Sequence, residues 1–417
     1  ILKRIEYWNE TFLAPSGSIV AVESDFSPES IAVFLSLIKN NHIVVPLTSA
    51  SESNKHEFLK ISKAQYNIKL DTQIKVLELQ DDDGFFIDGQ HEYYDYLRNK
   101  NRPGLVVFSS GSSGKSKASV HDMLPILNKF KINKSNFRTL IFLLFDHLGG
   151  INTMLYTLSN GGCIVIPEKR TPEYVLSSIE KHSVDLLPTT PSFLNMILFS
   201  ELYKKYDLST LKLISYGTEI MHKNTLKKLN EIFPEIRFLQ TYGLSELGVL
   251  RSKSENSNSL WVKVGGEQFK TRVIDNKLEI KSESAMLGYL NAVSPFTEDG
   301  WFKTNDVVET KGDYFKILGR QTEIINVGGE KVYPSEVENV LLQMTEVEDV
   351  SVFSEKNIIL GEMVCAKVKL RNNSLRGSFK KILKDYCKDK IEKYKIPIKI
   401  SFTKDGVHNE RYKRIRR

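Results

Sequence analysis

The stretch Val106-Val107-Phe108-Ser109-Ser110-Gly111-Ser112-Ser113-Gly114-Lys115-Ser116-Lys117 decides how the rest of the chain is read. Three apolar residues after Leu105 predict the end of a buried strand. They run into a turn of hydroxyls, glycines and lysines. Such a loop offers backbone N–H groups, Ser hydroxyls and ammonium charges to a polyphosphate. The Walker A spacing G-x-x-x-x-G-K-[ST] fails, because Ser109 stands where its first glycine belongs, five residues before Gly114. Taken alone, the loop is explained as well by a Ser/Gly turn on the surface. Its neighbours must decide.

Upstream, Ser18–Glu23 reads as a strand and Ser27 as the N-cap of a helix reaching Leu37. Ile31, Phe34, Leu35 and Ile38 fall at helical spacing on that helix, and Ile43–Leu47 is the next strand. This strand–helix–strand unit opens a doubly wound α/β sheet. Asp81–Gly89 reads as a loop. Downstream, the pattern predicts a helix from His121 to Phe130 and a strand Leu140–Phe145 leading into Asp146-His147-Leu148-Gly149-Gly150. Strand and helix then alternate to Gly243, which predicts a mostly parallel sheet. After Gly248 come short strands separated by turns, a small barrel or β-subdomain. From Gly319 a compact α+β block follows.

A chain of 417 residues calls for two or three domains. Its 41% apolar and 26% charged content describes a globular protein. No apolar run is long enough to span a bilayer, and the first residues carry no secretory pattern. Cys163, Cys365 and Cys387 are odd in number and widely spaced, which argues against a disulfide framework or zinc site and for a reducing cytoplasm. Much of the net charge of +7 lies in Arg411, Lys413, Arg414, Arg416 and Arg417. A basic tail can bind nucleic acid, but no nucleic-acid-binding motif accompanies it.

Further clusters carry chemistry. In Gln240-Thr241-Tyr242-Gly243-Leu244-Ser245-Glu246 a strand ends in an aromatic, a turn glycine, a hydroxyl and a carboxylate. At the carboxyl edge of a parallel sheet these suit a base, a phosphate and Mg²⁺ respectively. Asp306, in Gly300–Asp306, suits a ribose diol, and Arg320, in Leu318–Thr322, suits the same sugar or a phosphate. Each cluster alone also reads as an ordinary strand-end turn or a structural Asp–Arg pair.

Together and in this order, the clusters make the chain similar to the adenylate-forming ligases: acyl-CoA synthetases, peptide-synthetase adenylation domains and luciferase-like enzymes. Phe108–Ala118 resembles their phosphate loop, Ser215–Glu219 their adenine-lining segment, and Tyr242–Glu246 their Tyr-Gly-x-Thr-Glu motif with Ser245 for Thr. Lys277–Asn291 resembles the segment ending in Gly-Tyr. Gly300–Asp306 resembles Thr-Gly-Asp with Asn305 for Gly, and Gly319–Glu338 is the most similar stretch. A gap-free register from Ile400 sets Lys413 at the family's adenylating lysine, with Tyr412 where glycine is expected and Arg414 where Ile is expected.

What the resemblance implies can be stated residue by residue. The fold is α/β: a large N-terminal domain, 1–318, of stacked mostly parallel α/β sheets plus a small β-barrel-like subdomain. A hinge at 319–322, with Thr322 at the hinge position, leads to a small mobile α+β lid at 323–417. A carboxylate attacks the α-phosphorus of ATP and releases pyrophosphate, and the acyl-adenylate passes to a CoA or phosphopantetheine thiol. Lys413, Lys117 and Glu246 are the catalytic candidates, with Glu246 on Mg²⁺. The nucleotide candidates are Ser109, Ser110, Gly111, Ser112, Ser113, Gly114, Lys115 and Lys117, then Gly217, Thr218 and Glu219, Thr241, Tyr242, Gly243 and Ser245, and Asp306 and Arg320. Gly328 and Gly329 flank the thiol passage. Asp146, His147 and Gly149 face the acid: Asp146 either meets a substrate ammonium or is a structural cap while His147 faces the acid. The expected partners are a small carboxylic acid and an acyl or peptidyl carrier protein, with no nucleic acid and no membrane span. A stand-alone amino- or hydroxy-acid adenylating enzyme and a non-catalytic nucleotide-binding relative are the competing readings.

Overall fold

The computed structural model describes residues 1–417 except 72, 82, 85, 111–114, 267, 268, 405, 410, 413 and 417, and the backbone alone of Ser110. Two stacked α/β layers form the bulk of a large body. The first is a seven-stranded sheet in the order Gly288–Tyr289, Ser116–Asp122, Gly104–Ser110, Ile43–Leu47, Ile19–Glu23, Tyr66–Leu70, Ile74–Glu78. Its opening strand–helix–strand unit is as expected: Ile19–Glu23 and Ile43–Leu47 pair in parallel. Ser27 caps helix Pro28–Lys39 by accepting from the Ser30 N–H at 3.0 Å. The second sheet is wholly parallel, in the order Arg237–Gln240, Leu213–Tyr216, Leu186–Thr189, Arg138–Leu140, Cys163–Val165. Helix Leu148–Ser159 packs Ile151 and Met154 against Val20, Val44 and Val107 of the first sheet, filling the space between the layers.

An antiparallel sheet of six short strands between Ser252 and Arg320 is the expected β-subdomain. Beyond it lies a small body with a core of its own, in which Ile325, Val337, Val350, Val364, Val368, Phe379 and Leu383 are all buried together. Helices Pro334–Leu341 and Arg376–Cys387 cover its sheet.

Two expectations are corrected. Ser116–Asp122 is a strand, antiparallel to Gly104–Ser110, so His121 and Asp122, expected in a helix, lie in the sheet. The helix begins later, at Met123, where Asp122 accepts from the Leu124 N–H at 2.9 Å. The small residues Ala118 and Ser119 let this strand lie buried in the sheet, so it lacks the alternation that betrays a strand. Leu140–Phe145 is a strand only through Leu140. Ile141 still donates to the Val165 carbonyl at 2.8 Å; beyond it the chain leaves the sheet while Phe142 and Phe145 stay buried, and burial without pairing is indistinguishable from a strand in sequence.

Candidate functional site

The site is assembled at the carboxyl edge of the parallel strands, where α/β sheets present ligands. Strand Leu213–Tyr216 ends in Gly217 and its neighbour Arg237–Gln240 in Thr241. A Cβ on Gly217 would lie 2.5 Å from Thr241 Oγ1 and 2.8 Å from its carbonyl oxygen, so only glycine lets the two strand ends approach. Thr218 follows in the left-handed region at φ 69°. Glu219 then turns toward helix Pro191–Ser200, accepting from the Ser192 N–H at 3.2 Å and from its hydroxyl.

Strands Phe302–Lys311 and Tyr314–Arg320 pair so that Asp306 stands directly across from Arg320. Nε of Arg320 is 3.4 Å from Asp306 Oδ1, and the Tyr242 hydroxyl donates to Oδ2. Burial pushes the Asp306 carboxyl above its ordinary value and the Arg320 charge opposes it. Asn305 sits at φ 59°, a conformation for which Asn is the most tolerant residue after Gly, which accounts for its standing at a glycine position.

The hairpin and the Tyr242–Glu246 turn meet through a residue the sequence reading left unassigned. Gly288–Tyr289 pairs with Ser119 and Val120, and the Tyr289 hydroxyl donates to Glu246 at 2.6 Å. The Lys117 ammonium lies 5.1 Å above the same ring. Burial raises the Tyr289 pKa and the Glu246 charge raises it further, so the phenol stays a donor. The signal was available, since Tyr289 closes the Gly-Tyr segment of the resemblance. His121 is buried beneath the turn with Nε2 2.7 Å from the Ser245 carbonyl. Burial takes its pKa down to about 4, despite that bond. Ser109 and Lys117 pair across the hairpin, as do the backbones of Ser110 and Ser116, and Lys115 is exposed. Gly111, Ser112, Ser113 and Gly114 lie outside the described residues.

Glu246 pairs with no Lys or Arg among the described residues, and Tyr289 occupies only its Oε1. One half-buried carboxylate with an oxygen to spare fits Mg²⁺, which is commonly bound by one or two carboxylates together with substrate phosphates. No group of three or more His, Cys, Asp or Glu that could cage a metal occurs among the described residues.

The chain's last residues reach this rim from the small body. Arg411 Nη2 is 2.8 Å from Asp146 Oδ2, the Tyr412 carbonyl accepts from Thr190 at 3.3 Å, and the Arg414 N–H donates to Glu219 Oε1 at 2.6 Å. The Tyr412 ring packs 5.3 Å from both Phe142 and Phe193, and its backbone is left-handed at φ 55°. Lys413 lies outside the described residues. Arg414 faces Glu338 at 3.3 Å and Asp349 at 3.6 Å, and Arg416 bonds Glu338 and Glu323. Burial pushes the Glu338 carboxyl up, but Arg414 and Arg416 more than reverse it, leaving it at about 2. The basic tail is therefore neutralised internally at Arg411, Arg414 and Arg416, which removes these charges from a nucleic-acid footprint.

Beside this segment a cavity of about 1280 Å³ opens between the two bodies, lined among others by Phe145, Asn195, Phe199, Arg371 and Tyr412. His147 caps helix Leu148–Ser159, its Nδ1 accepting from the Gly149 N–H at 3.0 Å. Gly328 and Gly329 form the exposed turn of hairpin 325–332 at φ 60° and 96°. Their hydrogen bonds run to Leu360 and Asn326 of the small body, and among the described residues none joins them to the rim.

Two stacked α/β sheets, an antiparallel third sheet and a separately cored small body define the architecture of the adenylate-forming ligases. The chain belongs to the AMP-binding enzyme family, which it matches over residues 13–273, with the AMP-binding enzyme C-terminal domain matched over 336–411. It is 28% identical over 355 residues to acyl-CoA synthetase 7 of Caenorhabditis elegans, covering 76% of this chain and 65% of that one. It is 25% identical over 328 residues to an indoleacetate–CoA ligase of Aromatoleum aromaticum, covering 72% and 63%. The chain thus spans just under two thirds of the length of these relatives. Among solved structures, the anthranilate CoA ligase AuaEII in complex with anthranoyl-AMP superposes with a TM-score of 0.77 at 17% identity, over 97% of this chain and 87% of that one. Among the described residues no helix is long and apolar enough to cross a membrane.

Proposed function

We propose that the chain is an AMP-forming acid–thiol ligase. A substrate carboxylate attacks the α-phosphorus of ATP, the bond to the bridging oxygen breaks, and pyrophosphate leaves. The acyl-adenylate is then attacked by the thiol of CoA or of a carrier-protein phosphopantetheine, and AMP departs. Residues 1–318 serve as the ATP- and acid-binding domain, 319–322 as the hinge and 323–417 as the lid.

In this reading no side chain is a nucleophile, and catalysis is positioning plus charge neutralisation. Ser109–Lys117 holds the β- and γ-phosphates, and Tyr242 with the Gly217–Glu219 loop bounds the adenine. Asp306 accepts from the ribose hydroxyls, with Arg320 fixing the carboxylate. Lys413 neutralises charge between the attacking carboxylate and the α-phosphate. Glu246, oriented by the Tyr289 hydroxyl, would hold Mg²⁺, which when bound neutralises phosphate oxygens. Gly328 and Gly329 come into use only after the lid turns.

The observation that carries the reading is the convergence of groups from the large body with the chain's last residues. The Tyr242–Asp306–Arg320 and Glu246–Tyr289–Lys117 clusters share one rim, and the residues on both sides of Lys413 are bonded to the same body. An ATP–pyrophosphate exchange panel over fatty, aryl and amino acids, with and without CoA, tests it. Exchange with at least one acid and thioester formation with CoA are expected. No exchange with any acid would overturn the reading.

A further inference from the structure

Asp146 has a task of its own. Its side chain is 5% exposed, and Oδ2 is met by two protein donors, the Ser51 hydroxyl at 2.8 Å and Arg411 Nη2 at 2.8 Å. Oδ1 is buried with no hydrogen-bond partner among the described residues. The helix cap beside it is supplied by His147, so Asp146 does not serve as that cap. A substrate ammonium at Asp146 would compete with a guanidinium already in place.

Ser51 belongs to the same body as Asp146, whereas Arg411 arrives from the small body, 265 residues further along the chain. Among the described residues this is the only ion pair joining segment 407–416 to the large body. The other polar ties, from Thr190 to the Tyr412 carbonyl, from the Tyr412 hydroxyl to the Arg170 carbonyl and from the Arg414 N–H to Glu219, involve no second charged side chain of the segment. A buried carboxylate whose counter-ion is removed is strongly disfavoured. Asp146 therefore favours the one pose of the small body in which Arg411 is delivered to it, and that pose fixes both neighbours of Lys413.

We propose that Asp146 is the receptor and Arg411 the positioning residue that seats the lysine-bearing segment for adenylation, and that the acid substrate carries no ammonium group. The inference rests on the ligase reading above. Arg411→Ala and Asp146→Asn should each lower the exchange rate about 100-fold with the KM for ATP little changed. Arg411→Lys should recover most of the loss, and the double variant should be no worse than either single one.

A second measurement does not depend on turnover. Spin labels on Cys163, the one exposed cysteine, and on an exposed lid position through Lys380→Cys should give one narrow distance distribution in the parent. Arg411→Ala should broaden it. Parental exchange in both single variants, additive losses in the double, or exchange with an amino acid that Asp146→Asn alone abolishes would overturn the proposal. A parent that exchanges no acid breaks the ligase reading instead. The label distances then still decide the seating pair, and an unchanged distribution in Arg411→Ala overturns it.

Discussion

The nucleotide rim and the C-terminal segment are both polar, both close to the same strand ends, and built on opposite principles. Tyr242 and Asp306 partner one another within the large body, as do Glu246 and Tyr289, and Arg320 joins Asp306 from the strand that leads into the hinge, so that rim is built without a residue of the small body. Arg411, Tyr412 and Arg414 have partners in both bodies, and their arrangement exists only in the pose seen here. A preorganised surface binds, while a surface completed by another body can be switched off by moving that body. Perturbing each half should therefore produce different failures.

Lys413→Ala gives the largest effect expected. Removing one charge that stabilises the transition state should cut ATP–pyrophosphate exchange by about two to three powers of ten, or roughly 2.7–4 kcal/mol. Binding of ATP, measured by equilibrium dialysis, should persist because the rim is intact. Loss of ATP binding in this variant would mean that the two halves are not separable.

Glu338 comes next, as the hub of the second half. It is wholly buried between Arg414 and Arg416. Glu338→Gln leaves two guanidinium groups without their counter-ion and should destabilise the small body by about 3 kcal/mol. Urea denaturation should show an early transition for the small body while the large body unfolds as before. A single unshifted transition would deny the segment its dependence on this pair.

Acidification attacks the same half more gently. His222 and His408 are buried against this network, their pKa values lowered to about 3 and about 4 by burial first and the Arg414 charge second. Unfolded, both bind protons near the ordinary histidine value of about 6.5. Between the unfolded and folded values the unfolded state holds more protons, so stability is full above the unfolded pKa and falls as the pH drops toward the folded one. At about pH 5 the cost should be roughly 2 kcal/mol per histidine. Thermal melts from neutral to about pH 5 should show the loss, and His222→Asn should flatten the slope. An unchanged slope would mean that His222 takes no part.

Much of the rim was legible in sequence because its motifs are local. The Tyr242–Glu246 turn, Asp306 and Arg320 each sit at a strand end or a strand register that a short window captures. The helical face of Ile31, Phe34 and Ile38 was legible for the same reason. What the sequence did not show is long-range or masked by uniform burial. The hairpin Gly104–Asp122 hides because Ala118 and Ser119 break the alternation. The partners of Arg411 and of Glu338 lie 265 and 78 positions away, at Asp146 and Arg416, and no local pattern encodes such a choice. Asp146 is the instructive case: position and charge were readable, but the identity of its cation required the other body.

The smallest effect separates the two halves most finely, because each contains a non-glycine residue where the family has glycine. Asn305 at φ 59° and Tyr412 at φ 55° share a backbone conformation but not a reason for tolerating it. Asn305 is exposed and adopts the left-handed region at low cost, so Asn305→Gly should change stability by only a few tenths of a kcal/mol. Asn305→Ala should cost about 1 kcal/mol, since a Cβ without a local hydrogen bond is disfavoured there. Tyr412 is held in that region by packing on Phe142 and Phe193 and by its hydroxyl on the Arg170 carbonyl. Tyr412→Gly relieves about 1–2 kcal/mol of strain and removes two aromatic contacts of about 0.5–1.5 kcal/mol each together with the buried ring. The losses outweigh the relief, so overall stability, measured by melting, should fall, the segment loses its anchor and the exchange rate falls with it. If Tyr412→Gly instead exchanged faster than the parent, the ring would be an obstruction in the segment, and the contrast between a rim that binds and a segment that must be seated would have to be redrawn.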